Sequence, residues 1–307
     1  MGRFVLRRLL VTIPVLIGAT FLIFAMVFAL PGDPIRALAG DRPLSPAVQA
    51  QLRDEFNLDD PLVIQYVKYV GGLVQGDLGT DFQGRPVVDK IAQRVPVTIK
   101  LTAVAIGFEI LLGLTAGVLA GIRRNSFFDN LVLVSTTAAV SVPTFVIGFL
   151  LQYSLGLRLN LFPIAGINEG FVSYILPGFT LASVSLAFVA RLTRTSLAEN
   201  IRSDYVRTAK AKGLSRSRII GKHAMRNSMI PVVTYLGADV GALLGGAVVT
   251  EAVFNIPGIG RAVFEGILGQ EGAVVVGIVT LFVFVYIFFN LVVDILYAAL
   301  DPRIRYD

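Results

Sequence analysis

Residues 204–214 read DYVRTAKAKGL, a small, basic stretch that ends on a glycine and a leucine. It lies between two of the most apolar segments of a 307-residue chain that is 55% hydrophobic and only 16% charged. Soluble domains carry about 25% charged residues. A patch this unlike its neighbours belongs outside the bilayer that the neighbours cross. The sequence therefore reads as an all-α polytopic membrane protein.

Six apolar segments approach or exceed the roughly 20 residues needed to cross the bilayer core. They are Leu9–Leu30, Thr98–Ile122, Leu131–Leu155, Tyr174–Ala190, Pro231–Val253 and Val274–Tyr297, the fourth being the shortest. Six crossings put both termini on one side. Seventeen basic residues gather at the N-terminus, the 123–124 turn, the 191–226 connection and the C-terminus. Arg158 and Arg261 are alone in the short connections of the other face. The positive-inside bias then predicts that both termini are cytoplasmic. The first run follows Arg3, Arg7 and Arg8 and stays uncharged for 22 residues. It is too long for a signal-peptide core and is expected to stay as a span.

This gives three parts: residues 1–30 with the first span, a long extracytoplasmic loop at 31–97, and a core at 98–307 with a cytoplasmic loop at 191–230. The long loop has helix-like stretches at Ser45–Asn57 and Leu62–Val74 and a turn-rich Gly76-Asp77-Leu78-Gly79. Loops of this length bind a partner or fold as a cap, and both readings stand.

Composition excludes several chemistries. With no cysteine there is no disulfide, thiol nucleophile or thiolate metal site. A single histidine removes most proton-relay, zinc and triad chemistry, so neither a catalytic nor a metal site is expected. The net charge of +6 belongs to cytoplasmic loops rather than to nucleic-acid binding.

Within the spans, Gly113, Gly117 and Gly121 repeat every four residues, as do Gly237, Gly241 and Gly245. Each set makes a flat helical stripe, either for plain packing or for a sliding contact in a moving bundle. A central acid costs about 2.5–3.5 kcal/mol, while each Leu, Ile, Val or Phe returns about 0.3–0.6 kcal/mol, so the second span tolerates Glu109. Such an acid faces protein or water rather than lipid. Asp239 lies roughly 200° around its helix from Gly237 at 100° per residue, opposite the glycine stripe. Glu109 and Asp239 are the candidates for lining a pathway. Asn290 and Asp294 share a face near the inner end of the last span and suit structural hydrogen bonding.

The order of residues in 191–226 says more than its net charge of +8. Ser203 suits an N-cap, with Asp204 in the first turn of the helix it opens. Ala209 and Ala211 keep that helix thin, and Gly213 stops it. Ser215 suits the cap of a second helix running toward Met229, with Pro231 opening the next span. A thin helix exposed to the cytosol can enter a groove on another protein, and the alanine–glycine spacing favours that over anionic lipid.

The segment resembles the cytoplasmic loop motif of ATP-binding cassette (ABC) importer permeases, Glu-Ala-Ala-x-x-x-Gly followed by an Ile/Pro element. Here the motif runs Arg207-Thr208-Ala209-Lys210-Ala211-Lys212-Gly213, then Ile230-Pro231, with arginine in the place of the glutamate. DYVRTAKAKGL is similar to the peptide/nickel branch. LPGDP (30–34), GDLG (76–79), RLTRTSL (191–197), EAVFNIPGIGR (251–261) and NLVVDILYAALDPRIR (290–305) resemble, in order and spacing, the first permease subunit of di- and oligopeptide importers. Asp239 departs from the glutamine of that pattern, and Gln270-Glu271-Gly272 from its Arg-Asp-x-Pro.

The resemblance implies the type I ABC importer permease fold. It implies a homologous second permease, two cytoplasmic ATPase domains or subunits that hold ATP and Mg, and an extracytoplasmic substrate-binding protein. It assigns ATPase coupling to Ser203, Asp204, Tyr205, Arg207, Thr208, Ala209, Ala211, Lys212 and Gly213. Glu251, Pro257, Gly258 and Gly260 become gate or loop candidates. The residues themselves agree that ATP hydrolysis lies elsewhere, since no Gly-x-x-x-x-Gly-Lys-[Ser/Thr] loop occurs. The cargo read from the resemblance is di- or oligopeptides, with nickel chelates or glutathione as the alternative. An ion-coupled secondary transporter would call for inverted repeats and paired midplane acids, and no repeat is found.

Overall fold

The computed structural model describes residues 2–28, 45–46, 49–50, 53 and 57–300. LPGDP, most of Ser45–Asn57 and the basic C-terminal residues lie outside them. The described elements are helical: α1 Gly2–Phe28, α2 Leu62–Val74, α3 Val87–Ile122, α4 Phe127–Ser141, α5 Thr144–Arg158, α6 Ile175–Asn200, α7 Asp204–Ala211, α8 Arg216–Val253, α9 Ile259–Leu268 and α10 Gly272–Leu300. Among the described residues the sole β pairing is an isolated bridge between Thr80 and Pro86.

Among the described residues five helices are long and apolar enough to cross a membrane, and six crossings result if the bent pair α4–α5 counts as one. That pair covers the expected third span, Leu131–Leu155, and bends it. α4 ends at Ser141, Val142 is extended, and α5 leaves at 105°. The cause is local: Pro143 disfavours helical backbone at the residue before it.

The fourth crossing is longer than its hydropathy suggests. α6 runs 26 residues beyond a 3₁₀ turn at Gly170–Tyr174 and packs against α3, α4, α5 and α8. Thr180, Ser183, Ser185 and Thr193 are buried along it. A helix enclosed by other helices can carry small and polar residues that lipid would reject. The fifth crossing is also longer, because α8 continues without a break from Arg216 through a π-helical turn at Ile219–Ala224 and past Pro231. The separate helix expected before Pro231 is the first part of this same element. At 1.5 Å per residue its 38 residues reach about 57 Å, well beyond one bilayer core.

The two glycine stripes behave differently. A Cβ on Gly117 would lie 2.5 Å from Ala190 O, and one on Gly113 2.9 Å from Val189 Cγ1, so α3 and α6 touch backbone to backbone. Gly237 and Gly241 seat α8 on Val293 and Tyr286 of α10, whereas Gly245 has nothing within 4 Å. At one end of the bundle Arg8 of α1 pairs with Asp294 of α10 at 3.1 Å.

Candidate coupling surface and transmembrane site

α7 has only eight residues, too few to hold a helix unaided in water. It persists because one face is packed. Val206 and Ala209 are buried with Leu197 of α6 and with Ile219 and Ala224 of α8, while Val118 and Ile122 of α3 close the cluster. Burying a valine of this kind contributes roughly 1.5–3 kcal/mol. The helix stops as its sequence demands. Gly213 has φ +72°, its amide donates to Lys210 O at 2.9 Å, and the Leu214 amide donates to Ala209 O at 3.3 Å. These two hydrogen bonds are the Schellman closure that a left-handed glycine permits.

Asp204, Tyr205, Arg207, Thr208, Ala211, Lys212 and Gly213 are exposed, and Ser203 is partly so. Ala209 alone of the motif residues points inward. Ser203 precedes α7 as expected, but its hydroxyl donates back to Asn200 O at 2.6 Å instead of capping the helix. Tyr205 OH donates to Asn200 Oδ1 at 2.7 Å. Asp204 and Arg207 face each other at 3.5 Å in full contact with solvent.

α6, which helps to carry α7, is tied to α4 by a pair that the sequence reading missed. Arg194 of α6 donates to both oxygens of Asp129 of α4, at 2.5 and 2.9 Å. Asp129 is buried and also accepts from the Asn125 amide at 2.7 Å. A two-pronged guanidinium–carboxylate contact fixes orientation as well as distance. Arg194 falls within RLTRTSL, but a separation of 65 positions hides its partner.

Glu109 begins a π-helical turn at Glu109–Gly113, a distortion that re-aims side chains inside a helix. It is fully buried and Asp239 is 7% exposed. Their carboxyl groups are neighbours between α3 and α8, with Ser185 of α6 and Tyr235 of α8 beside Asp239. Both Glu109 oxygens and Asp239 Oδ2 lack a hydrogen bond of ordinary geometry within the chain. Two acids treated separately in the sequence are thus one contact, aimed into this chain's own helix packing. Ser185 and Tyr235 carried no sequence signal for it.

Glu251, Pro257, Gly258 and Gly260 assemble at the end of α8 farthest from α7. Glu251 is fully buried. Its Oε1 accepts from Thr98 Oγ1 at 2.6 Å and its Oε2 from the Arg261 amide at 2.9 Å. Thr98 Oγ1 in turn accepts from the Ile259 amide at 2.9 Å. The carboxylate thereby satisfies the free amides at the start of α9, where the helix dipole favours negative charge. A Cβ on Gly258 would collide with this carboxylate, and one on Gly260 would lie 2.7 Å from Val248 Cα. Pro257 is exposed at the turn. The glycines are therefore required by a clasp joining α3, α8 and α9.

Beyond the clasp, Arg94 and Arg261 both pair with Glu265, at 2.9 and 2.8 Å. Burial opposes ionisation of Glu265, but the two guanidinium groups outweigh it and hold the carboxyl below its ordinary range. Asp81 behaves alike: burial works against its charge, yet the Arg85 amide, Lys90 and the Gln83 amide prevail and lower it.

Residues 113–306 match the family described as the inner membrane component of binding-protein-dependent transport systems, and residues 1–102 match the N-terminal part of such components. The dipeptide transport system permease protein DppB of Escherichia coli (strain K12) is 38% identical over 337 residues, covering 100% of this chain and 99% of that protein. The glutathione transport system permease protein GsiC of Escherichia coli O6:H1 (strain CFT073) is 40% identical over 307 residues, covering 100% of both. In fold, the chain is similar to an inward-facing structure of the MetNI methionine ABC transporter, with a TM-score of 0.57 and 19% identity over 69% of this chain and 96% of that one. The chain therefore belongs to the inner-membrane permease family of binding-protein-dependent ABC importers.

Proposed function

We propose that this chain is the membrane subunit of an ATP-driven importer of di- and oligopeptides and forms half of the translocation pathway beside a homologous second permease. An extracytoplasmic binding protein delivers the cargo, and two separate cytoplasmic ATPase domains or subunits hold ATP and Mg. The termini and the 191–230 loop lie on the cytoplasmic side of a bacterial inner membrane. The observation that carries this reading is α7: an exposed polar face carried on a buried apolar one that is shared by α3, α6 and α8.

Closure of the ATPases moves whatever is seated in their surface. Because α7 is packed on the inner ends of α6 and α8, such a movement displaces those helices as rigid bodies. α8 continues to the Glu251 clasp at the far end, so a shift at α7 and a shift at α9 are linked through one helix. Alternating exposure of a central path by rocking of rigid bundles has precedent in other transporters.

The peptide cargo rests on likeness to permeases named for dipeptide and glutathione transport. Glutathione is itself a tripeptide, and the identity to its permease favours it as the second reading.

The test uses Tyr205→Ala with Arg207→Glu in the assembled transporter. Uptake of labelled peptide and peptide-stimulated ATP hydrolysis should both be lost while the protein inserts normally. Unchanged uptake would overturn the coupling role. Competition between labelled dipeptides and glutathione then separates the two cargo readings.

A further inference from the structure

The helix α2 lies in the stretch that sequence assigns to an aqueous loop, yet its surface is not that of an aqueous helix. Its polar side carries Gln65 and Lys68, and Gln75 caps its C-terminal end. Tyr66 and Tyr69 face the protein, and Val63, Val67 and Val74 are 63, 63 and 83% exposed. Placed on a helix at 100° per residue, these valines fall within about 40° of one another and point away from Lys68 by roughly 100° or more.

The depth of α2 follows from its tyrosines. Tyr66 OH donates to Ile17 O at 3.0 Å and lies 2.9 Å from Thr20 Oγ1, and Tyr69 OH donates to Thr280 Oγ1 at 2.9 Å. Arg8 and Asp294 mark the opposite end of the same two helices. Thr20 stands about 18 Å, and Thr280 about 21 Å, above that pair at 1.5 Å per residue. Both fall short of the ~30 Å that separates the two edges of the hydrocarbon core. With that ion pair at the inner edge, the tyrosine hydroxyls reach below the outer edge, to Thr20 and Thr280 inside the apolar spans Leu10–Phe28 and Gly272–Ile295. The valine face is continuous with the apolar wall of α1, where Ile17 is 54% and Phe21 39% exposed and Phe21 packs edge-on against Tyr66 at 5.1 Å. Lys68, the one charge on α2, is drawn back to Asp60 at 2.6 Å, outside the helix.

We propose that α2 is an interfacial helix embedded in the outer leaflet, with Val63, Val67 and Val74 in contact with lipid chains and Gln75 turned to water. Apolar area next to hydrocarbon and a polar arc toward headgroups are what hold such helices in place. The helix then props α1 against α10 at the membrane edge rather than standing free above it.

The chain has no cysteine, so single-cysteine variants carry a spin label at one position only. Val67→Cys and Gln75→Cys are labelled in the purified chain, which is then assembled with its partner subunits in proteoliposomes, and collisions with oxygen and with a water-soluble nickel chelate are measured. The expected result is a reversal: oxygen collisions dominate at position 67 and chelate collisions at position 75. Chelate dominance at 67 would overturn the proposal by placing the face in water. Shielding of 67 from both reagents would also overturn it, since the second permease would then cover the face. Wild-type peptide uptake by both labelled variants shows that the fold is retained. If the Val67 variant fails to assemble, Val63→Cys takes its place with the same outcomes.

Discussion

Thr98 and Glu251 are 153 residues apart in sequence and are joined by a 2.6 Å hydrogen bond inside the membrane domain. Thr98 also receives the Ile259 amide, so one hydroxyl connects the start of α9 to the end of α8.

Replacing Thr98 by valine keeps the shape and removes both contacts. Each buried group left unpaired costs about 1–3 kcal/mol, and more when it is charged. Thr98→Val should therefore lower stability by about 3 kcal/mol in circular-dichroism melts of the purified protein, whereas Thr98→Ser should remain near the parent. Equal melts for all three would contradict the clasp.

The glycine stripes predict opposite outcomes for one kind of change. Gly117→Ala forces a methyl against Ala190 O and Thr193, which should cost about 1–3 kcal/mol by overpacking. Gly245→Ala meets nothing and should be neutral or stabilising by up to about 1 kcal/mol, because the unfolded chain loses freedom. Thermal melts of the two variants side by side make the comparison.

Arg194→Ala strands the buried carboxylate of Asp129, and removing one partner of such a pair costs about 3–5 kcal/mol. Arg194→Lys keeps the charge but not the fork and should fall between. Protease sensitivity of the 123–126 turn should rise in the same order.

Asp81 gives a pH dependence of definite sign. Its carboxyl is held below the ordinary value by the Arg85 amide, Lys90 and the Gln83 amide, acting against burial. A group depressed in the folded state stabilises at pH above its unfolded value of about 3.9 and loses that contribution as pH falls through the folded value. The melting difference between the parent and Asp81→Asn should be constant near neutrality and shrink below about pH 4. A difference that grew on acidification would contradict the assignment.

α7 separates anchoring from docking. Val206→Ala should loosen the helix, at about 1–3 kcal/mol, and expose the 202–214 backbone to proteolysis. Arg207→Glu should leave proteolysis unchanged yet reduce copurification of the ATPase subunits. The opposite pattern would exchange the roles of the two faces.

Much of this architecture was legible in the chain itself. Five of the six crossings, the basic loop, the start of α7 at Asp204 and its stop at Gly213 follow from local rules. The bend at Pro143 was legible in principle, since the restriction on the preceding residue is local, but hydropathy averaged over the window concealed it. Ala209 illustrates a different limit. Its small size suits a thin exposed helix and a tight buried contact equally, and only its neighbours Leu197 and Ile219 decide between them.

The sequence by itself determined which segments enter the bilayer and where the charged patch stays out, because transfer from water to lipid depends on side chains summed over a short window. It could not determine that α6 is the enclosed centre, that Glu109 meets Asp239, or that Thr98 holds Glu251. Those facts depend on distances between residues far apart along the chain. Once a helix is surrounded by protein, its partners decide which residues it can carry, and the solvent no longer does.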